Sequence, residues 1–237
     1  MSFVEALIDK GKEAGIVFTN EQVEKFSRYY EMLVETNKVM NLTAITEPEE
    51  VAVKHMIDSL LAYNPEHFAG KKLVDVGTGA GFPSIPLKIY CPSIKMVLMD
   101  SLAKRLRFLE AVIVELGLKD VSCVHIRAED AGHKEEHRER YDIAIARAVA
   151  SFPVLLEYCL PLVKNGGYFY AMKGSKYKEE LAQGENAIKI MGGKLISCEQ
   201  VKLPGLDDGR AILVVQKQKN TPAKYPRKAG VIAKTPL

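Results

Sequence analysis

The spacing of apolar positions divides the chain into two regimes. Over the first seventy residues, apolar side chains recur at helical intervals. Phe3, Val4, Leu7 and Ile8 form one set, Val23, Phe26, Tyr30, Leu33 and Val34 a second, and Val51, Val53, Met56, Leu60 and Leu61 a third. Residues three and four apart share a helix face, so each set predicts an amphipathic helix. Thr19-Asn20-Glu21-Gln22 and Thr46-Glu47-Pro48-Glu49 each read as a capping box opening the second and third helices, and Asn64-Pro65 ends the third. These helices are expected to cover one edge of the remaining chain. From Lys71 the pattern changes. Short apolar runs at Leu73–Val76, Ile94–Met99, Val121–Ile126, Tyr141–Ala146 and Tyr168–Met172 predict strands. Helices are predicted after Pro83, over Leu102–Leu116 (capped by Ser101, closed at Gly117), from Ser151, and over Tyr177–Met191. The last two runs, Lys194–Leu203 and Ala211–Gln216, are joined by a connection too short for a crossover helix, so they pair antiparallel. The alternation predicts an α/β fold, a mostly parallel doubly wound sheet with one antiparallel strand behind a helical region. The divisions are 1–70, 71–216 and 217–237.

The stretch Leu73-Val74-Asp75-Val76-Gly77-Thr78-Gly79-Ala80-Gly81-Phe82-Pro83 reads as strand, glycine loop and helix start. Glycines let the backbone turn tightly and let a ligand approach it closely. The spacing is G-x-G-x-G, not the G-x-G-x-x-G of a dinucleotide site. Asp75, just before the first glycine, would repel a pyrophosphate and attract a cation. S-adenosylmethionine carries an ammonium and a sulfonium and no phosphate. Asp100, at the end of the second apolar run, suits the two hydroxyls of its ribose. Asp75, Gly77, Gly79, Gly81 and Asp100 are therefore candidate cofactor contacts, on a Rossmann-like sheet of the class I methyltransferase kind.

In an open α/β sheet the ligand lies at the carboxyl ends of the strands. Arg127-Ala128-Glu129-Asp130 follows the third strand, where it reads either an adenine edge or forms a polar loop. Phe82 packs either on the cofactor or in the core. Arg147 and Lys173 end the fourth and fifth strands, as solvated strand ends or as cations facing an anionic substrate. Several chemistries are disfavoured. The fourth strand ends in Ala146-Arg147-Ala148-Val149 rather than the [Asp/Asn]-Pro-Pro-[Tyr/Phe] run of amino-nitrogen methylation, and Cys91-Pro92 is in the reverse order to a Pro-Cys nucleophile. No acids cluster on this edge for a metal. His133-Lys134-Glu135-Glu136-His137 lacks the Glu of a zinc protease motif and reads as a solvated helix. Guanine N7 needs least of a methyltransferase, because it is nucleophilic and has no proton to lose. Alignment and exclusion of water suffice, and an Arg could take O6 or a phosphate while leaving N7 free.

Composition adds one asymmetry. The net charge of the 237 residues is +3, yet Gln216–Leu237 alone holds Lys217, Lys219, Lys224, Arg227, Lys228 and Lys234 with no acid, so the remainder is net acidic. With Pro222, Pro226 and Pro236, this tail is expected to be extended and mobile. It reads either as a solubilising end or as an RNA contact, with Lys224, Arg227 and Lys228 on phosphates and Tyr225 stacked on an unpaired base. Lys173 joins that candidate footprint, and no tail residue is expected in the cofactor pocket. Cys91, Cys123, Cys159 and Cys198 are widely spaced and read as reduced thiols. The absence of a signal-like start or a long apolar stretch gives an expectation of a cytoplasmic protein with no membrane contact.

Asn41-Leu42-Thr43-Ala44-Ile45, His55-Met56-Ile57-Asp58-Ser59-Leu60, the glycine loop from Asp75 to Pro83, Arg127-Ala128-Glu129, Ala146-Arg147-Ala148-Val149 and Lys224-Tyr225-Pro226-Arg227-Lys228 together resemble the rRNA small subunit methyltransferase G family, first called glucose-inhibited division protein B. The resemblance spans nearly the whole chain. It implies transfer of a methyl group from S-adenosylmethionine to N7 of a guanine in 16S ribosomal RNA, in naked RNA, a small subunit or an assembly intermediate. It implies cofactor contacts at Gly77, Phe82, Ala128, Glu129 and Arg147, and names no general base and no metal. Arg147 is a candidate for positioning. Asn41, His55 and Asp58 are read as packing or capping residues, and the protein is expected to be a monomer. Two alternatives stay open: a methyltransferase of another substrate, and a non-catalytic RNA-binding protein on the same fold.

Overall fold

Alternating side chains along the strands create two cores, one on each face of a single seven-stranded sheet. The computed structural model describes Met1–Leu237. The strands are β1 (Lys72–Val76), β2 (Lys95–Asp100), β3 (Val121–His125), β4 (Tyr141–Arg147), β5 (Val163–Lys173), β6 (Gly193–Val201) and β7 (Arg210–Lys217), in the spatial order β3-β2-β1-β4-β5-β7-β6. Strands β1 to β5 run parallel, and β7 is antiparallel to both β5 and β6. The chain winds outward from β1 in one direction and returns to β4 beside it. That reversal leaves a crevice at the carboxyl ends of β1 and β4.

Before the sheet come α1 (Phe3–Glu13), α2 (Asn20–Met40), α3 (Pro48–Val51), a π-helical stretch (Ala52–Ile57), α4 (Asp58–Leu60) and α5 (Pro65–Phe68). Within and after it lie α6 (Ser84–Tyr90), α7 (Ala103–Glu115), α8 (Ala128–Ala131), α9 (Phe152–Cys159), α10 (Tyr177–Ile190) and α11 (Ala229–Lys234). No helix is long and apolar enough to cross a membrane. The N-terminal helices cover a face of the sheet, not the edge expected. Phe3, Leu7, Phe26, Tyr29, Leu33 and Met56 form one core with Leu73, Leu98, Ile143, Ile145, Met172 and Val214. Their shared apolar stripe needs an apolar plane, and a sheet face supplies one where an edge presents backbone. On the other face, Val74, Val97, Ala144, Phe169 and Leu213 pack against Phe152, Leu155 and Leu156 of α9 and Ala187 and Ile188 of α10.

Local signals held unevenly. The Thr19 capping box forms, with the Gln22 amide on the Thr19 hydroxyl at 3.2 Å and the Thr19 amide on Gln22 at 2.9 Å. The Thr46 box does not. Pro48 fixes the first helical position and keeps the residue before it extended, so Glu47 takes the cap position without a side-chain bond. Ser101 is likewise displaced as a cap by Leu102, whose amide donates to Asp100 Oδ1 at 2.9 Å. Asn64 caps a further turn, α5, where the sequence pattern predicts only a stop. The segment from His133 to His137 is a series of turns rather than a helix, because its side chains are used elsewhere. His133 Nε2 lies 2.7 Å from the Pro226 carbonyl and His137 Nδ1 2.7 Å from the Tyr141 hydroxyl.

The tail is docked, not extended. Arg138 donates to the carbonyls of Thr221 and Tyr225 at 2.7 and 2.8 Å. Arg227 pairs at 2.7 Å with Glu157, which is fully buried. Lys217 is also fully buried and donates to the Leu160 carbonyl and the Thr221 hydroxyl, each at 2.6 Å; burial pushes its ammonium down to about 8 against the pull of Glu139. Beyond Pro226 the chain forms α11, closed onto the core by Ile232.

Candidate active site

The glycine loop leaves β1 under tight constraint. Gly77, Gly79 and Gly81 all have positive φ, where a side chain is strained. A Cβ on Gly77 would also stand 2.7 Å from Val149 Cγ2. The Gly77 and Thr78 amides donate to the Met99 carbonyl at 2.8 and 3.1 Å, tying the loop to the end of β2. Gly81 serves packing: a Cβ there would meet Ile85, Leu109 and the Tyr29 hydroxyl, all within 3.0 Å.

Beyond this loop lies a cavity of about 730 Å³. Gly77, Asp100, Arg105, Ala128, Glu129 and Tyr158 line it, together with Ala148 and Val149 from the loop after β4. Arg127 caps α8, which places Ala128 and Glu129 in the cavity wall. Two lining residues come from the tail, Ala229 and Ala233 of α11, contrary to the expectation that none would. They reach the pocket because the Arg227–Glu157 pair turns the chain back across α9.

The two acids are placed differently from each other. Asp100 lines the cavity, but its oxygens already accept the Gly79 amide at 3.0 Å and the Leu102 amide at 2.9 Å, with Arg105 at 3.5 Å. It holds the loop, with carboxylate lone pairs to spare for a ligand. Asp75 does not line the cavity. It is fully buried, and neither of its oxygens, nor the Thr78 and Ser84 hydroxyls beside it, has a hydrogen-bond partner. Burial pushes its carboxyl up to about 7, held back in part by Thr78, Ser84 and Arg147. The cavity lining fits S-adenosylmethionine: a carboxylate at the second strand end, and a wall of Ile126, Ala128, Val154 and Tyr158 for an adenine.

Phe82 is in the core. Its ring stacks on His55 at 4.4 Å and lies 5.4 Å from Tyr29. Arg147 lies over Phe82, with Cζ 5.0 Å from the ring centroid. It pairs with Asp58 Oδ2 at 2.6 Å and donates to the Lys54 carbonyl at 3.2 Å. Asp58 also takes Arg210 on Oδ1 at 3.0 Å. Burial and Arg147 push His55 down to about 4, so its ring is neutral at ordinary pH; Nε2 meets the Thr43 hydroxyl at 2.8 Å. Asn41 is the left-handed cap of α2. His55, Asp58 and Arg210 thus form a linked set that spacing alone did not assign; the only signal was that His55 and Asp58 fall in one short block.

Of the cations read as RNA contacts, Lys224 and Lys228 are exposed. Lys173 pairs with Glu180 at 2.7 Å and donates to the Ala150 carbonyl at 2.8 Å, so its charge is met within the fold. Tyr225 is 7% exposed and packed in the second core, where it has no free face for a base. Arg227 is held by Glu157.

Comparison with known proteins identifies the fold and the family. Among solved structures, the fold matches the TYW2 protein of M. jannaschii in complex with AdoMet, with a TM-score of 0.53 at 20% identity over 67% of this chain and 72% of that one. Among curated sequences, ribosomal RNA small subunit methyltransferase G of Alkaliphilus metalliredigens is 51% identical, covering 98% of this chain and 97% of its own. The enzyme of the same name from Ligilactobacillus salivarius is 52% identical over 94% of each. The family model for rRNA small subunit methyltransferase G spans residues 22–207, from the start of α2 to the loop before β7. With that span and identity over nearly its full length, the chain belongs to the rRNA small subunit methyltransferase G family.

Proposed function

We propose that this protein transfers a methyl group from S-adenosylmethionine to N7 of a guanine in small-subunit ribosomal RNA. The observation that carries the reading is a pair of cavities at the carboxyl ends of the strands, one bordered by Gly77 of the glycine loop and one by the ends of β4 and β5, that share Ala148 after β4. When bound, S-adenosylmethionine supplies a methyl electrophile, so that the N7–carbon bond forms as the carbon–sulfur bond breaks and the positive charge passes to the base with no proton to remove. Gly77, Asp100, Ala128 and Glu129 hold the cofactor. Arg147 positions substrate from the end of β4. Catalysis by these residues is alignment and exclusion of water, and no side chain acts as a general base. Of the exposed cations of the tail, Lys224 and Lys228 contact phosphate. Such an enzyme works in the cytoplasm, on ribosomal RNA in a subunit or an assembly intermediate.

Calorimetry with S-adenosylmethionine and with NAD tests the cofactor half. Binding of the first alone is expected, and equal affinity for both would return the loop to a dinucleotide site. Gly79→Val, in a variant that stays folded, is expected to abolish binding.

A further inference from the structure

The second cavity, about 480 Å³, lies on the face of the sheet covered by the N-terminal helices. Its size is that of a small-molecule pocket. We propose that it receives the acceptor guanine, with Asp58 as the specificity-determining residue that accepts the N1–H and 2-amino hydrogens while Arg147 donates to O6. This rests on the methyl-transfer reading above and adds where the base sits and what selects it.

The carboxylates in the cavity wall are Asp58, Glu180 and Asp208. Glu180 is taken up by Lys173 and by the Phe152 amide, which donates to it at 2.6 Å. Asp208 sits at the rim, its side chain 39% exposed, on Arg210 Nε. Asp58 is deep, its side chain 4% exposed, and receives one guanidinium on each oxygen. A carboxylate has about four acceptor positions, so each oxygen keeps one free. Its two cationic neighbours offset the cost of burying its charge, so it can face a neutral base.

The order of these groups matches the edge of guanine. Asp58 accepts Arg147 on one oxygen and Arg210 on the other, and Ala148 follows Arg147 in the chain. Along guanine run the 2-amino group, N1–H, O6 and N7. With the carboxylate opposite the first two donors, a guanidinium faces O6. N7 then falls at Ala148, where the second cavity meets the cofactor cavity. An arginine facing guanine ordinarily takes O6 and N7 together. Here Arg147 Nη1 is held by Asp58 and by the Lys54 carbonyl, which restrains the side chain from reaching N7. Adenine is mismatched twice. It turns the N1 lone pair toward the carboxylate and an amino group toward the guanidinium, leaving buried polar groups unpaired.

The test compares guanosine with inosine, which lacks only the 2-amino group, at the mapped target of small-subunit RNA. Equilibrium RNA binding and kcat/KM are measured with the full chain and with Asp58→Asn. In the parent, inosine is expected to weaken binding and lower kcat/KM by at least ~10-fold. In Asp58→Asn both RNAs are expected to bind equally weakly. Equal use of guanosine and inosine by the parent overturns the proposal. So does an inosine penalty that persists at full size in the variant. Where the variant does not fold, the parent comparison decides alone. Failure here leaves transfer to guanosine intact, whereas failure of the methyl-transfer reading is loss of that transfer itself.

Discussion

At the scale of single residues, the glycine loop is built from groups with opposed demands. Asp75 is buried with both oxygens unpartnered, which costs stability once it ionises. Its carboxyl, ordinarily near 3.8, is pushed to about 7 in the folded protein. Between those values the folded state holds a proton that the unfolded state has lost, so raising the pH withdraws stability. His55, pushed down to about 4, acts in the opposite sense over much of the same window. A comparison with Asp75→Asn isolates the first group. Relative to that variant, the cofactor-free parent is expected to lose stability progressively from pH 4 to 7, by up to ~4 kcal/mol. Denaturant titrations at several pH values check this, and a pH-independent difference would contradict it. The sequence revealed that an acid precedes the glycines; it did not reveal that Asp75 lies on the sheet face covered by the N-terminal helices, because both faces of β1 are buried. At Gly77, alanine would meet Val149 and a positive φ together, and Gly77→Ala is expected to weaken S-adenosylmethionine binding at least ~10-fold, read by calorimetry.

Among the elements, the strands and the antiparallel β6–β7 pair were legible because apolar periodicity is local. The tail was not. Its charge and prolines describe a free end, but its fold is decided by partners far away in sequence. Arg138 lies 87 residues from Tyr225, and Glu157 lies 70 residues from Arg227. These contacts carry α11 to the cofactor cavity, where Ala229 and Ala233 form part of the wall. Arg227→Ala would leave Glu157 buried without its cation, a change that typically costs about 3–5 kcal/mol. The variant is expected to melt at a lower temperature and also to bind S-adenosylmethionine more weakly. Lowered stability with unchanged cofactor affinity would show that the tail only braces the fold.

For the molecule as a whole, the sites proposed for the two substrates lie together at the carboxyl ends of the strands. The exposed cations of the tail are Lys219, Lys224, Lys228 and Lys234; Lys217 and Arg227, which composition counts equally, are structural. Replacing Lys224, Lys228 and Lys234 with alanine is therefore expected to weaken RNA binding and to reduce the slope of log affinity against log salt by up to about 3, without loss of stability. An unchanged slope would remove the tail from the RNA footprint. The central claim concerns the reaction. Its most direct test is methyl transfer from labelled S-adenosylmethionine to unmodified small-subunit RNA, as naked RNA and as assembled particles. The RNA is then digested and the labelled nucleoside identified. Label in N7-methylguanosine at a single position is the result expected; label in another nucleoside, or none from a protein that binds the cofactor stoichiometrically, would contradict the account.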